Sequence, residues 1–251
     1  MDLLERDIGA GNRHPWELSR ADCILNAFGK LQRKHFQKNH LRIADIGAGD
    51  RYFDLLLQEK LETDGTKAEI ICIDANYGDD EVAEKGIVLG TDIAQIQDGT
   101  IDCCFMMDVM EHVEDDRSFL SAITKKLKSG GILLITVPAF QRLFSVHDEF
   151  LKHYRRYDIA MLNELVPKDS AEVSWHYFYT SLSVVRYVQI IFNLLSVDNE
   201  TGIAQWKYAE KHILTKLIRW CLNADFKMNM LLAQCGVHLP GLSLLAVLKK
   251  R

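Results

Sequence analysis

Between residues 45 and 112 the chain repeatedly sets an acid, or an acid followed by an imidazole, directly behind a short apolar run. The first such place is Asp45-Ile46-Gly47-Ala48-Gly49, the second Asp74-Ala75-Asn76, the third Thr91-Asp92-Ile93, and the fourth Met107-Asp108-Val109-Met110-Glu111-His112. In the first, glycines let backbone approach a ligand without an intervening Cβ, and the helical pattern starting at Tyr52 offers N–H groups with no partner of their own. A small molecule resting on this turn is one reading; a purely structural turn is the other, because GxG after a strand is common. In the second, the Asp74 carboxylate can accept hydrogen bonds from both hydroxyls of a ribose, which nicotinamide and adenosylmethionine chemistry equally require. In the third, Asp92 can accept from an adenine amino group while Ile93 covers the ring, or be a solvated loop acid.

A dinucleotide fingerprint needs a third glycine at position 52, where this chain has Tyr52, whose ring obstructs the tight helix approach that a pyrophosphate uses. An acid ahead of the glycines instead suits the ammonium of a methionine moiety, met directly or through water. Taken together, residues 43–50, Ile73-Asp74, Thr91-Asp92, residues 108–113 and residues 130–138 resemble, in order and spacing, the successive motifs of class I S-adenosylmethionine-dependent methyltransferases. The resemblance covers nearly all of residues 41–138. It implies S-adenosyl-L-methionine as cofactor, with Asp45, Gly47, Ala48, Gly49, Asp74, Ala75, Asp92, Ile93, Met107, Asp108 and His112 around it. Further strings, His14-Pro15-Trp16 with Arg20, Val137-Pro138-Ala139-Phe140, His147-Asp148, and His153-Tyr154-Arg155-Arg156-Tyr157, are similar to a type 11/23-like bacterial subgroup associated with glycan or lipid-linked substrates. One departure stands out: Arg51 occupies the position, two after Gly49, that the family usually fills with a third glycine.

A sulfonium makes its methyl group electrophilic already, so the protein mainly has to align an acceptor for in-line displacement and exclude water. A base is needed only where the nucleophile carries a proton. His147, His112 and His153, with Tyr154 and Tyr157, lie after the fourth and fifth apolar runs, where an acceptor would sit. His147 comes first, in an irregular polar segment behind Pro138; His112 could instead hydrogen-bond the cofactor or cap a turn. Asp108, Glu111, His112 and His147 together are similar to the metal site of small-RNA 2′-O-methyltransferases and of some quinone-pathway O-methyltransferases. The expectation is nevertheless no metal, since many relatives carry the string without one and Asp108 is shorter than the usual first Glu. Arg155 and Arg156 read either as a solvated helical face or as an anchor for an acidic acceptor. Trp16 and Arg20 read as a lid over the methionine end, with core packing as the other role for the ring.

Positioning these groups requires strands at 41–46, 69–74, 86–89, 101–107 and 131–137, alternating with helical patterns as in βαβ units. Further strands are expected at 171–179 and 242–248, and helices at 16–32, 182–195 and 204–232. The expected fold is α/β, a Rossmann-like seven-stranded, mostly parallel sheet with helices on both faces and a helical insertion before the last strand. One domain spans 1–251, with a helical lid at 1–40, core at 41–180, insertion at 181–240 and last strand at 241–251. Insertion roles are, in order, substrate cover, homodimer contact and peripheral membrane contact.

The bulk properties agree with such a domain: 251 residues, 48% hydrophobic and 26% charged. A net charge of -5 gives no general attraction for phosphate backbones, so no nucleic acid partner is expected. The six cysteines form no CxxC pair and read as reduced thiols of a cytoplasmic protein, and the charged start, Met1-Asp2-Leu3-Leu4-Glu5-Arg6-Asp7, lacks a signal-peptide apolar run. The stretch 182–195 is broken by Arg186 and Gln189 and falls short of the roughly 20 apolar residues of a membrane span. The expected activity is methyl transfer to a small-molecule or glycan-like acceptor at oxygen or nitrogen. A nucleotide-dependent oxidoreductase and a non-catalytic methyltransferase-like binding protein are the alternatives.

Overall fold

The computed structural model describes residues 12–36, 40–78, 81–167, 170–191 and 208–251. A single seven-stranded sheet runs through them in the order β3-β2-β1-β4-β5-β7-β6. Its strands are β1 (His40–Ile46), β2 (Lys67–Ile73), β3 (Ile87–Gly90), β4 (Ile101–Met107), β5 (Leu127–Pro138), β6 (Ser170–Phe178) and β7 (Ser243–Lys250). The first five are parallel, and β7 runs antiparallel to both β5 and β6. Because β1 pairs with β2 on one side and with β4 on the other, the strand order reverses there, and a crevice opens beyond the carboxyl ends of these strands.

The strands read as almost unbroken apolar runs because both sheet faces are covered. Ile43, Cys72, Cys103, Phe105 and Leu134 point into one layer, closed by α1 (Pro15–His35), α2 (Tyr52–Thr63) and α7 (Ile213–Gln234). Their neighbours Ala44, Ile71, Cys104, Met106 and Ile135 point into the other, closed by α3 (Asp116–Lys126) and α5 (Ile159–Leu165). Helix α4 (Val146–Phe150) is a single turn on the loop that follows β5, and α6 (Thr180–Ile191) follows β6.

Helix α1 has a well-specified start: His14 Nδ1 accepts from the Trp16 amide at 3.3 Å, Pro15 opens the first turn and Glu17 lies within it. Its flank is fastened to the insertion, where Arg219 grips Asp22 with two bonds of 2.6 Å and Asn223 adds a third of 2.8 Å. In the insertion, buried Asp225 of α7 accepts from the amides of Thr180 and Ser181 at 3.1 and 2.7 Å, satisfying N–H groups at the start of α6.

The two insertion helices correspond to those expected, with shifted limits. α6 begins at Thr180, and α7 starts at Ile213, capped by His212 Nδ1, rather than at 204. Residues 192–207 lie outside the described residues, as do 1–11 and 37–39 of the lid segment. Among the described residues no helix is long and apolar enough to cross a membrane.

Candidate active site

A cavity of about 1050 Å³ opens over the reversal point of the sheet. Its floor comes from the strand ends: Gly47 after β1, Asp74, Ala75 and Asn76 after β2, Thr91, Asp92 and Ile93 after β3, and Met107, Asp108 and Val109 at the end of β4. Trp16 and Arg20 of α1 lie over this floor, and Glu111, His112, His147, Lys152, His153, Tyr154 and Arg156 line the side beyond β5.

The turn after β1 uses its first glycine for close approach. Gly47 has φ +73°, and a Cβ there would meet Val109 Cγ2 at 2.4 Å, so this position excludes any side chain. Gly49 donates its amide to Asp74 Oδ2 at 2.9 Å, while Asp74 Oδ1 accepts from the Asn76 amide at 2.9 Å and from Asn76 Nδ2 at 3.1 Å. Three of the roughly four acceptor positions of that carboxylate are therefore taken. One remains clear for a ribose hydroxyl; a second bond requires the Asn76 side chain to yield. At the next strand end Asp92 Oδ1 caps a short 3₁₀ turn through the Ala94 amide at 2.7 Å, and Ile93 follows as an apolar wall.

Asp45 is placed otherwise than the sequence reading expected. Its carboxylate is buried, does not line the cavity, and points into the layer that holds α2, beside Asp54 and Cys72. Neither oxygen of Asp45 or Asp54 has a hydrogen-bond partner. Burial pushes both carboxyl groups upward, and the Asp54 charge drives Asp45 further, so the pair holds on to a proton at neutral pH. The physical reason is strand alternation: Asp45 shares its face with Ile43, whereas Gly47 reaches the cavity through backbone. Ala48 and Gly49 likewise shape the turn without lining the cavity.

Arg51 accounts for its unusual place. It adopts φ +61°, the left-handed conformation a glycine would take without strain, and its largely buried side chain reaches Glu81 at 2.8 Å and Glu84 at 3.2 Å. Asp50 receives Arg13, whose guanidinium also stacks over the Tyr52 ring at 3.9 Å, drawing the chain before α1 down onto the loop.

Across the floor, Asp108 also has φ in the left-handed region, at +52°. Its Oδ1 accepts from Thr136 Oγ1 at 3.0 Å, and its Oδ2 pairs with Arg20, whose guanidinium lies 4.5 Å from the centre of the Trp16 ring. Helix α1 and the cavity floor are thus joined by an ion pair beside the Trp16 indole. This engagement removes Asp108 from the four-residue metal set considered from sequence.

The far side is built by the chain that follows β5, and its centre is Asp148, fully buried. The Asp148 carboxylate accepts from His153 Nδ1 at 2.9 Å, from Arg156 Nε and Nη2 at 2.7 and 3.0 Å, and from the Ser145 amide and hydroxyl at 2.9 and 3.0 Å. Burial alone would raise its pKa, but His153 and Arg156 outweigh that and hold it below the usual carboxylate range. Arg156 is thereby spent on structure, and Arg155 binds Asp116 and the Glu114 carbonyl, each at 2.8 Å. Neither is the loose acidic-substrate anchor considered from sequence.

The three imidazoles all reach the cavity. His153 packs edge-on against His112, ring centres 4.7 Å apart. His147 stands on α4, where burial lowers its pKa, so it is neutral near pH 7 and competent to take a proton. Glu111 is fully buried with no hydrogen-bond partner on either oxygen, and burial pushes it up to about 8. Among the described residues, ligand atoms of Glu111, His112 and His153 gather within 4.8 Å of one another, while His147 stands outside that group.

Several cavity residues were not singled out from sequence, among them Phe119, Leu151, Lys152, Tyr179 and Leu242. Tyr179 follows β6 and donates to the Trp16 carbonyl at 3.2 Å, bringing the insertion to the lid. Leu182, from the apolar stretch expected to cover the substrate, also lines the cavity, whereas no local pattern marks the others.

Residues 44–135 match the family model of a methyltransferase domain. No curated protein sequence matches the chain. Among solved structures, an S-adenosylmethionine-dependent methyltransferase from Archaeoglobus fulgidus is 17% identical over 92% of this chain and 94% of its own, with a TM-score of 0.52. Haemonchus contortus phosphoethanolamine N-methyltransferase 2, in complex with S-adenosyl-L-methionine, is 13% identical over 89% of this chain, with a TM-score of 0.52; this chain spans about half of that one, 51%. At such identities the likeness concerns the fold.

Proposed function

We propose that the chain is an S-adenosylmethionine-dependent class I methyltransferase, in line with the methyltransferase-domain model that residues 44–135 match, and that it methylates a small-molecule or glycan-like acceptor, at oxygen or nitrogen, inside the cavity over β1, β2, β3 and β4. When bound, S-adenosyl-L-methionine supplies a methyl group on a positively charged sulfur. The ribose falls to Asp74, the adenine edge to Asp92 with Ile93 against its face, and Gly47 gives the backbone clearance that the methionine portion needs. Arg20 and Trp16 close over that portion from α1, and Met107 and Asp108 complete the floor.

His147 is the residue we assign to receive an acceptor proton. Its neutral state and its place in the cavity wall support that role. Leu182 and Leu242 give the acceptor end an apolar cover, in keeping with substrate cover as the work of the insertion. The relative from Haemonchus contortus is named for phosphoethanolamine, a small phosphorylated amine, which favours the small-molecule class by analogy. Six unpaired cysteines support a reducing, cytoplasmic setting.

The observation that carries the reading is the arrangement of Gly47, Asp74 and Asp92 on three successive strand ends around one cavity. The experiment is turnover: purified protein with methyl donor and a panel of hydroxyl- and amine-bearing acceptors, read as S-adenosylhomocysteine released. Acceptor-dependent release that falls at least tenfold in His147→Ala is expected. Tight binding of S-adenosylhomocysteine with no release for any acceptor class would support the non-catalytic alternative.

A further inference from the structure

We propose that Glu111, His112 and His153 form a binding site for a first-row divalent transition-metal ion, open to the cavity, where it coordinates the acceptor oxygen. Four observations carry this. The candidate ligand atoms of the three residues lie within 4.8 Å of one another. Ligands held at about 2.0–2.2 Å from a common ion sit roughly 3–3.5 Å apart, so closing around one takes a contraction of about 1 Å or a little more. The two imidazole rings already pack edge-on, with centres 4.7 Å apart.

Second, Glu111 is wholly removed from solvent, yet neither of its oxygens has a hydrogen-bond partner. A carboxylate so placed is costly unless something positive meets it. Third, the second imidazole is oriented from behind: Asp148 accepts from His153 Nδ1 at 2.9 Å, leaving Nε2 as the ligand atom. Asp148 is itself fixed by Arg156 and Ser145, so the chain carries the carboxylate–histidine pair that orients metal-bound imidazoles. Fourth, all three residues line the cavity, so three protein ligands would leave coordination positions facing it.

Two imidazoles with one carboxylate favour Mn²⁺, Fe²⁺, Co²⁺ or Zn²⁺ over Mg²⁺ or Ca²⁺, which prefer an all-oxygen shell. This set differs from the one considered from sequence: His153 takes the place of His147, and Asp108 is excluded by its pairing with Arg20. A hydroxyl coordinated here loses its proton more readily. That proton passes to His147, the oxygen–methyl bond forms as the sulfur–methyl bond breaks, and the sulfonium leaves as a neutral thioether. This last role rests on the methyl-transfer reading above, whereas binding of the ion does not.

The test uses untagged protein, stripped with chelator and exchanged into chelator-free buffer, with the metal alone as probe. Zn²⁺ and Co²⁺ are titrated, stoichiometry is read by elemental analysis after equilibrium dialysis, and geometry by the visible absorption of Co²⁺. One equivalent should bind. His153→Ala and Glu111→Gln should each weaken it at least thirtyfold, Asp148→Asn roughly tenfold, and His147→Ala should leave it within twofold. Circular dichroism identifies which variants are folded, and His153→Ala with Asp148→Asn decides the matter if Glu111→Gln does not fold. No bound equivalent, the same stoichiometry in His153→Ala as in wild type, or loss in His147→Ala instead would overturn the assignment. No acceptor or methyl donor enters this measurement, so its failure leaves the methyltransferase reading intact, and failure to bind S-adenosylhomocysteine would sink that reading without touching this one.

Discussion

The two ends of the cavity are built by different means. At the β1, β2 and β3 end, the ligand-facing groups are strand termini: a glycine whose missing Cβ makes room and two acids at fixed places just past the sheet. At the other end Glu111 and His112 follow β4 and the rest hang on the irregular chain after β5, where one buried carboxylate, Asp148, collects hydrogen bonds from Ser145, His153 and Arg156. The first end borrows its rigidity from the sheet. The second makes its own from charge pairing in a dry interior, so it should be the more easily broken by a single substitution.

Asp148→Ala is the largest expected effect. It leaves the Arg156 guanidinium without its carboxylate in a mostly buried setting and frees His153, for which about 3–5 kcal/mol of stability is the usual loss. Urea unfolding measures it, and a loss under about 1 kcal/mol would mean the network is not the support described. The folded fraction should still bind S-adenosylhomocysteine with near wild-type affinity. Equal loss of that affinity would break the contrast between the two ends.

Next comes Asp54→Asn, which probes the support beneath the cofactor end. Both Asp45 and Asp54 have folded pKa values raised by burial above the roughly 3.9 of an unfolded aspartate. The folded state therefore holds protons that the unfolded chain releases, and stability is greatest below about pH 4 and declines as pH rises through the folded values. Replacing one acid by a neutral amide should flatten that decline, stabilising the protein by about 1–3 kcal/mol at pH 8 and by much less at pH 4. Parallel stability–pH curves for variant and wild type would show that the pair is not protonated in the fold.

Arg20→Ala is the smaller change, since its pair with Asp108 is partly exposed. Weakening of S-adenosylhomocysteine by about five- to tenfold, roughly 1–1.4 kcal/mol, is expected if the lid rests on that contact. Calorimetry reads it, and unchanged affinity would return Trp16 and Arg20 to a packing role.

How legible each end was follows from the same contrast. Strand ends announce themselves because apolar period and the residue just past it are local properties, so Gly47, Asp74, Asp92 and a mostly parallel sheet could be anticipated from spacing. Asp45 was misplaced for a related reason: the motif fixes its position in the chain, but alternation along β1 sends its side chain to the α2 face. The acceptor end was legible only as a set of residue types. Nothing in the sequence distinguishes an Arg156 spent on Asp148 from one offered to substrate, or says that His153 rather than His147 meets Glu111. Tyr179 required the tertiary return of the chain after β6 onto α1, which no local pattern encodes.

The central claim is that the ends of β1, β2 and β3 hold the methyl donor, with Asp74 as the ribose acceptor that also anchors the Gly49 amide. Titration calorimetry of S-adenosylhomocysteine into wild type and Asp74→Ala tests it most directly. The account predicts one site in the wild type and a loss of roughly 10- to 100-fold in the variant, the worth of about 1.5–3 kcal/mol for a hydrogen bond to a charged group. Affinity unchanged in a folded Asp74→Ala protein would contradict it.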